Sequence, residues 1–530
     1  MNPRVWASLD DFLHPAAAGG WLGRNMANHY FISALFRYGT FDEYHFFLAN
    51  SAHRRLFLES HAPLLSDLNM EDRVKVFERL DLPEQLKKNQ YAVFHQSDHI
   101  NHFNALCRLR DRMGAEVPIT AFIHSISYQE FMPRYLEMCE GGPGPFDALI
   151  CSSKGGRDAL KKVFGRLGNR EAPMQLPVVP LGIDEQRESP PREASRARLG
   201  VPPTETVGLG FGRFSEIDKM DLFPLLQAFR KGAAETPTNK LFLAGSVHSP
   251  SYMNMLEIWI DALGLRESVR IVTDPSEAVK RDLFAAADFF VSLADNPQET
   301  FGLTILEAMH AGLPLLVSDF DGYRELVTDD VGYRAPTIWH PAPELDALQP
   351  LMDERTYHLY AAQSIALDND FVSDALEVLF GDPALRGRMG RAAQMRFSAC
   401  YSHQSTIQRL EGLWDELRAG FQRKEAAPID SLSLNTFETF SHYVSRSLQN
   451  DDCLVATSFG RQILSRNTSY PLLGNMAKLV DLEAMRDLLR RADSPTAFDV
   501  LQADAPGDAW RRRYLVLWML KHGLLKIHSI

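Results

Sequence analysis

A doubly wound parallel α/β fold, repeated in two similar units, is predicted by three observations. Short apolar runs alternate with helical stretches, this alternation occurs twice, and a charged, proline-bearing segment separates the two sets. A chain of 530 residues also exceeds what one ordinary core organises, so at least two domains are expected.

In the first unit, Arg4 to Leu9 reads as a strand that runs into the loop Ala16-Ala17-Ala18-Gly19-Gly20. A helix follows from about Arg24 to Tyr38, then strands at Tyr44–Leu48, Tyr91–His95, Ile119–His124 and Ala148–Cys151, and a helix ending near Phe164. Pro177 to Asp184 leads out of this unit, and Ser189–Arg196, with Pro190 and Pro191 among charges, reads as a linker. In the second unit, strands are expected at Val207–Gly212, Lys240–Ala244, Val269–Val272, Asp288–Leu293 and Leu315–Ser318. Helices are expected at Leu222–Lys231, Ser251–Leu263, Ala278–Ala285 and Phe301–Gly312. Asp382 to Leu417 is helical and amphipathic. Beyond Arg423 the strand alternation fades, with helix-like segments around Leu434–Leu448, Leu482–Arg491 and Arg511–His522. The expected domains are 1–190, 198–400, a returning helix at 401–424, and a mainly helical, winged-helix-like accessory domain at 428–530. Two open α/β units in tandem place a cleft between them, and ligands gather at the carboxyl ends of the strands.

Composition narrows the function classes. Apolar residues make up 45% and charged residues 23%, as in a globular enzyme, and 56 basic against 68 acidic residues give a formal charge of −12. That balance argues against a nucleic-acid-coating protein, which needs a basic field. The five cysteines are scattered and show no C-x-x-C spacing, so neither a disulfide framework nor a zinc knot is indicated. No apolar run reaches the roughly 18 to 20 residues that span a bilayer. The N-terminus has no basic segment followed by an apolar one, so a cytoplasmic location is expected.

The most informative stretch is Glu299-Thr-Phe-Gly-Leu-Thr-Ile-Leu-Glu307. It follows a buried strand and opens a helix, whose first N–H groups lack internal partners and whose positive dipole end favours anions. A diphosphate over Gly302, Leu303 and Thr304 suits that geometry, with Gly302 admitting a close backbone approach. Glu307, on the first turns, can accept both hydroxyls of a ribose, and Glu299, in the loop, can reach a sugar beyond the phosphates. On spacing alone, a capping or solvated loop glutamate and a solvated helix glutamate are the commoner reading, because two glutamates eight apart are frequent.

The longer run Asp295 to Asp319 closely resembles the E-x7-E signature of family 4 glycosyltransferases, retaining enzymes of the GT-B fold with two Rossmann-like domains facing a cleft. Asp321-Gly-Tyr-Arg-Glu-Leu-Val327 is also similar, and the resemblance extends over roughly residues 1–420. It implies that Glu307 binds the ribose of a nucleotide-diphosphate sugar and that Glu299 contacts the sugar being moved. It also implies a front-face reaction in which the leaving diphosphate helps deprotonate the acceptor.

Gly208-Leu-Gly-Phe-Gly-Arg213 to Lys219 is a strand ending in glycines, then two cations. The G-x-G-x-x-G dinucleotide pattern is absent. Arg213 and Lys219 read as cations that neutralise charge developing on a leaving diphosphate. They resemble the family's Gly-Arg…Lys element, but five residues separate them against the usual four. Gly19 and Gly20 resemble the family's glycine-rich loop, whose amides close over the diphosphate or present the acceptor; Trp21 and Arg24 follow as candidate acceptor-side residues. His124 ends a strand where ligands collect and resembles the family histidine that contacts the donor sugar, although a lone histidine also suits a core. Pro180-Leu-Gly-Ile-Asp184 resembles the turn before the linker, with Gly182 and Asp184 fixing a hinge, and Tyr401 stands where the family commonly has tryptophan.

These readings point to a retaining glycosyltransferase of the hexosyltransferase class. Its donor would be a nucleotide-diphosphate sugar and its acceptor a glycan, lipid-linked, small-molecule or protein species. No metal or other cofactor is expected, because Arg213, Lys219 and helix amides serve the diphosphate. A nucleotide-sugar epimerase or phosphorylase on the same fold, or a non-catalytic nucleotide-sugar-binding module, are the alternatives. For the basic, aromatic stretch Trp510 to Ile527, protein contact, docking or dimerisation, and peripheral membrane contact compete. No nucleic-acid partner is expected.

Overall fold

The computed structural model describes residues 3–13, 23–168, 171–186, 189–423, 434–466, 470–503 and 508–528. The chain divides into two compact units, one built mainly on residues 81–427 with the N-terminal strands and the other mainly on 428–530.

The larger unit holds two parallel six-stranded sheets. The first is formed by β1 (Val5–Ser8), β2 (Glu43–Leu48), β3 (Val74–Glu78), β4 (Tyr91–Gln96), β5 (Ile119–Phe122) and β6 (Ala148–Ile150), in the order β3-β2-β1-β4-β5-β6. The second is formed by β7 (Thr206–Phe211), β8 (Asn239–Gly245), β9 (Val269–Thr273), β10 (Phe289–Ser292), β11 (Leu315–Ser318) and β12 (Gly332–Ala335), in the order β9-β8-β7-β10-β11-β12. Both sheets therefore reverse direction at the same place, between their first and fourth strands. The central strands are short and buried throughout, as Val-Trp-Ala-Ser in β1 and Phe-Phe-Val-Ser in β10 show. Helices cover both faces of a parallel sheet, so its strands read as unbroken apolar runs. The architecture is GT-B: two Rossmann-like α/β domains.

The first sheet is completed from far along the chain. Helix His403–Ala419 packs on helix Gly23–Tyr38 and on β4. Its Trp414 is 1% exposed, joins a core with Trp6, Phe31 and Phe41, and donates its indole N–H to Thr120 Oγ1 at 3.1 Å. The chain thus crosses between the sheets twice, and the crossings pair: Ile183 bridges Ser402 in parallel. A Cβ at Gly182 would lie 2.6 Å from Thr406 Oγ1 and 2.7 Å from Ser402 O, so only glycine lets the crossings approach this closely.

Several elements differ from the sequence reading. Helix Ser51–Asp67 and strand β3 were not expected. The proline-bearing linker becomes helix Arg192–Leu199 from its fourth residue onward and docks on the second domain. Arg192 pairs with Asp288 at 2.7 Å, Arg196 Nη1 donates to Ala286 O at 3.0 Å, and Ser195 donates to Asp282 at 2.8 Å. Charges that looked like a solvated spacer are contacts. The helical stretch Asp382–Leu417 is two helices, Pro383–Cys400 and His403–Ala419, broken where Tyr401 and Ser402 meet the outgoing linker.

The smaller unit is mainly helical, as expected, but also carries a three-stranded antiparallel sheet of Thr496–Ala497, Cys453–Ala456 and Leu525–Ile527. Its helices are Ser458–Arg466, Leu482–Arg491, Phe498–Ala503 and Ala509–Lys521, around a core that includes Leu454, Leu488, Leu501, Val516 and Met519. The expected helix over 434–448 reduces to Thr436–Thr439 and a turn at Ser441–Tyr443. Phe437 and Tyr443 there are 89% and 73% exposed, so no apolar face is buried to hold a longer helix. Among the described residues no helix is long and apolar enough to cross a membrane.

Candidate functional site

In a doubly wound sheet the two loops at the reversal point splay apart and leave a crevice. Arg213 and Lys219 lie on the loop after β7, and Asp295 to Glu299 lie on the loop after β10. The loops are tied together: Asn296 donates its side-chain N–H to Lys219 O at 2.6 Å, and Asp295 accepts from the Asp221 N–H at 3.1 Å. Across them, Lys219 Nζ lies 2.6 Å from Glu299 Oε2 and 3.3 Å from the Tyr323 hydroxyl. That hydroxyl also lies 2.9 Å from Ser292 Oγ and 3.4 Å from Glu299 Oε2. Burial alone would push the Glu299 carboxyl up, but the ammonium of Lys219 overrides it and holds the group below its ordinary range. Burial likewise works to lower the Lys219 pKa, yet Glu299 and Tyr323 together raise it by more. Both groups are charged at neutral pH. Arg213 is turned to Asp218, pairing with its carboxylate at 3.2 Å and donating to its carbonyl at 3.1 Å, and it still helps hold Glu299 ionised.

The helix after this loop spans Leu303–His310, with Gly302 as its cap. Gly302 has φ of 107°, and a Cβ there would lie 2.6 Å from the Tyr323 ring. Glycine was expected in order to admit a ligand; its immediate role is to take a left-handed turn while Tyr323 packs against it. Phe301 donates its N–H to Glu299 Oε1 at 3.3 Å, so Glu299 also closes the entry to the helix. Leu303 and Thr304 occupy the first turn, where a helix leaves N–H groups without internal partners. Thr304 Oγ1 and Asp295 Oδ1 are buried with no hydrogen-bond partner among the described residues.

Glu307 is buried on the same helix. Lys280 Nζ lies 2.7 Å from its Oε1, and the Tyr30 hydroxyl, from the first domain, lies 3.3 Å from the same oxygen. Lys280 also sits 5.2 Å from the Phe211 ring centroid. Neither Lys280 nor Tyr30 was singled out from the sequence, since a mid-helix lysine and a mid-helix tyrosine read as surface and core. Tyr323 lies in a stretch noted for its resemblance, but its hydroxyl contacts had no sequence signal.

His124 stands beyond the end of β5 and donates its Nε2–H to Ser97 O at 2.8 Å, since a carbonyl only accepts. Burial lowers its pKa to about 4, which keeps the ring neutral. The described contacts do not join it to Glu299. Gly19 and Gly20 lie outside the described residues. The two domains meet directly elsewhere: Glu325 accepts N–H bonds from Lys154 at 2.5 Å and Gly155 at 3.2 Å, at the start of helix Lys154–Arg166. Tyr128 donates to Gln298 at 3.2 Å. Beside them Asp321 is pushed up to about 7, first by burial and then by the charge of Glu299.

Comparison with known proteins places these observations in context. The chain is 29% identical over 262 residues to a D-inositol 3-phosphate glycosyltransferase of Kineococcus radiotolerans, a match covering 47% of this chain and 53% of that one. The chain thus spans about half the length of that relative. HepE from Anabaena, solved in complex with UDP, has a similar fold with a TM-score of 0.53 and 17% identity, covering 78% of this chain and 100% of that one. A glycosyltransferase from Rickettsia africae gives a TM-score of 0.55 at 13% identity, covering 79% of this chain and 100% of that one. Residues 191–343, which hold Arg213, Lys219, Glu299 and Glu307, match the family model of the glycosyl transferases group 1.

Proposed function

We propose that the chain is a retaining glycosyltransferase of family 4 that moves a sugar from a nucleotide-diphosphate donor to an acceptor hydroxyl. The observation that carries this reading is the buried Lys219–Glu299–Tyr323 cluster at the reversal point of the second sheet, set beside the Gly302-capped helix. The family model over that segment and the relative's name support sugar transfer as the reaction class.

The roles follow from charge. Two of the three N–H donors of Lys219 go to Glu299 and Tyr323, and the third is assigned to the diphosphate. With Arg213 and the first-turn amides of Leu303 and Thr304, Lys219 stabilises the negative charge that grows as the bond from the anomeric carbon to the diphosphate oxygen breaks. The buried Thr304 hydroxyl gains a partner from a phosphate oxygen. Glu307 accepts ribose hydroxyls, held in place by Lys280 and Tyr30. Glu299 accepts from hydroxyls of the donor sugar. The acceptor oxygen attacks the same face that the diphosphate leaves, and its proton passes to the departing phosphate oxygen. Neutral His124 serves as a hydrogen-bonding group on the sugar side. Gly19 and Gly20 are assigned to the first domain's face of the diphosphate. No metal is required for this charge neutralisation.

The decisive experiment pairs binding with stereochemistry. UDP, GDP, ADP and TDP are screened by thermal shift, with UDP first because HepE was captured with it. The matching nucleotide sugars are then supplied, and the anomeric configuration of the product is read by NMR. One nucleotide family is expected to raise the melting point, and the product is expected to keep the donor's configuration. Failure of all four nucleotides removes the donor site; an inverted product removes retention. Donor turnover without an acceptor product favours an epimerase or phosphorylase instead.

A further inference from the structure

One group of chemistry-bearing side chains has no part in that reaction. Asp184 and Glu185 stand on the chain segment leaving the first domain, and His403 opens the helix that returns to it. Each offers one ligand atom, and the three atoms lie within 4.8 Å of one another. Acidic side chains alone do not make a site, but the histidine adds an independent observation. His403 is 4% exposed, and its Nε2 is buried with no hydrogen-bond partner among the described residues. An unsatisfied buried polar atom is destabilising, and a ligand that pairs with it removes that cost. A neutral imidazole keeps the lone pair of one ring nitrogen for a ligand.

The surroundings orient the carboxylates without using them up. Tyr38 donates to Glu185 Oε1 at 2.8 Å, and the His403 N–H donates to Glu185 Oε2 at 3.0 Å. Gln186 donates its N–H to Asp184 Oδ1 at 3.0 Å, and Arg37 lies 3.3 Å from Asp184 Oδ2. His310 adds a ring nitrogen 3.4 Å from the Glu185 carbonyl. Each carboxylate oxygen has two lone pairs, so these contacts resemble the outer hydrogen bonds that fix ligands in metal sites. Among the described residues, Arg37 is the guanidinium paired with these two carboxylates, which leaves an excess of negative charge that favours a cation.

We propose that Asp184, Glu185 and His403 bind a divalent transition-metal cation, of which zinc is the type, at the paired crossings between the two domains. One imidazole nitrogen with two carboxylate oxygens suits zinc, whereas calcium and magnesium prefer oxygen ligands alone. Ligand bonds of about 2.0 to 2.2 Å draw the three side chains together from their present spread. The ion would pin segment 183–185 to the start of helix His403–Ala419, and it lies outside the chemistry assigned to the diphosphate.

The test uses the full chain, stripped with a chelator and dialysed against Zn2+ alone, with bound metal counted by atomic emission. One zinc per chain is expected, with the melting point raised, and neither Mg2+ nor Ca2+ at the same concentration should reproduce the shift. His403→Gln and Asp184→Asn should each weaken zinc binding at least tenfold while circular dichroism shows the fold intact. Glu299→Gln should bind zinc like the parent, which separates this site from the donor site. Cobalt substitution should give visible absorption bands that His403→Gln lacks. Folded parent protein that takes up no zinc, or a folded His403→Gln variant that binds it undiminished, overturns the proposal.

Discussion

Replacing Glu299 with Gln tests both the stability and the chemistry of the buried cluster. The pair is separated by 2.6 Å, with side chains 10% and 15% exposed for Lys219 and Glu299. At that distance the gross Coulomb attraction is about 6 kcal/mol for an effective dielectric near 20, and desolvation of both charges offsets much of it. Removing one partner of a buried pair typically destabilises by about 3 to 5 kcal/mol, because the other charge is left alone. Glutamine keeps the shape and one acceptor oxygen for Lys219, so the expected loss is smaller, about 2 to 3 kcal/mol. Urea unfolding should show a lower midpoint with an unchanged slope. The pH dependence has a definite sign. The Glu299 pKa is depressed in the folded state, so its contribution is present above the ordinary value of 4.5 and is lost as pH falls below it. The stability gap between parent and variant should therefore be flat near neutrality and shrink in acid. On the proposed assignment, nucleoside diphosphate should still bind the variant within about threefold, while kcat should fall by about a hundredfold to a thousandfold. A variant within about 0.5 kcal/mol of the parent and with full turnover would falsify the assigned role of Glu299.

Three further outcomes are expected. Lys280→Met should remove a cation that lies 2.7 Å from buried Glu307, lowering stability by about 1 to 3 kcal/mol and raising the donor KM more than it lowers kcat; an unchanged KM in steady-state kinetics counts against Glu307 as the ribose ligand. Gly302→Ala should destabilise by at least about 1 to 3 kcal/mol, because it forces φ of 107° on a side chain whose Cβ meets the Tyr323 ring, and a melting curve superposable on the parent's contradicts this. Asp321 has a folded pKa raised to about 7 from 3.8, so stability is full below the ordinary value and falls as pH rises through the folded one. Asp321→Asn should flatten that decline between about pH 4 and 7 in unfolding titrations, and an identical slope in parent and variant speaks against a buried, nearly neutral carboxyl.

The fold was legible where burial is symmetrical. Strands such as β1 and β10 are buried along their whole length and apolar up to a final serine, because helices cover both faces. At the sheet edge that signal disappears: β3 buries only Val74 and Glu78, so its pattern resembles a loop. Helix Ser51–Asp67 carries Pro63 and buries only Phe57, His61 and Leu65, too little apolar periodicity to stand out. In the candidate site, Arg213, Lys219, Glu299 and Glu307 could be picked out because they lie in contiguous motifs. Lys280 and Tyr30 could not, since their partner lies 27 residues away in one case and 277 in the other. Asp184 was read as a hinge residue alone, because His403 reaches it only through tertiary pairing.

The position of Trp414 has a consequence for how the protein is made. The indole that fills the first domain's core and bonds Thr120 is 294 residues further along the chain. Ribosomes add about 5 to 20 residues each second, so the first sheet waits roughly 15 to 60 s after Thr120 is made before its last core side chain exists. Throughout that interval the groove around Phe31 and Phe41 lacks its cover, while the second domain is synthesised and can close its own sheet first. The domain begun earlier is therefore finished later, and the nascent chain carries an open aromatic groove for most of its synthesis.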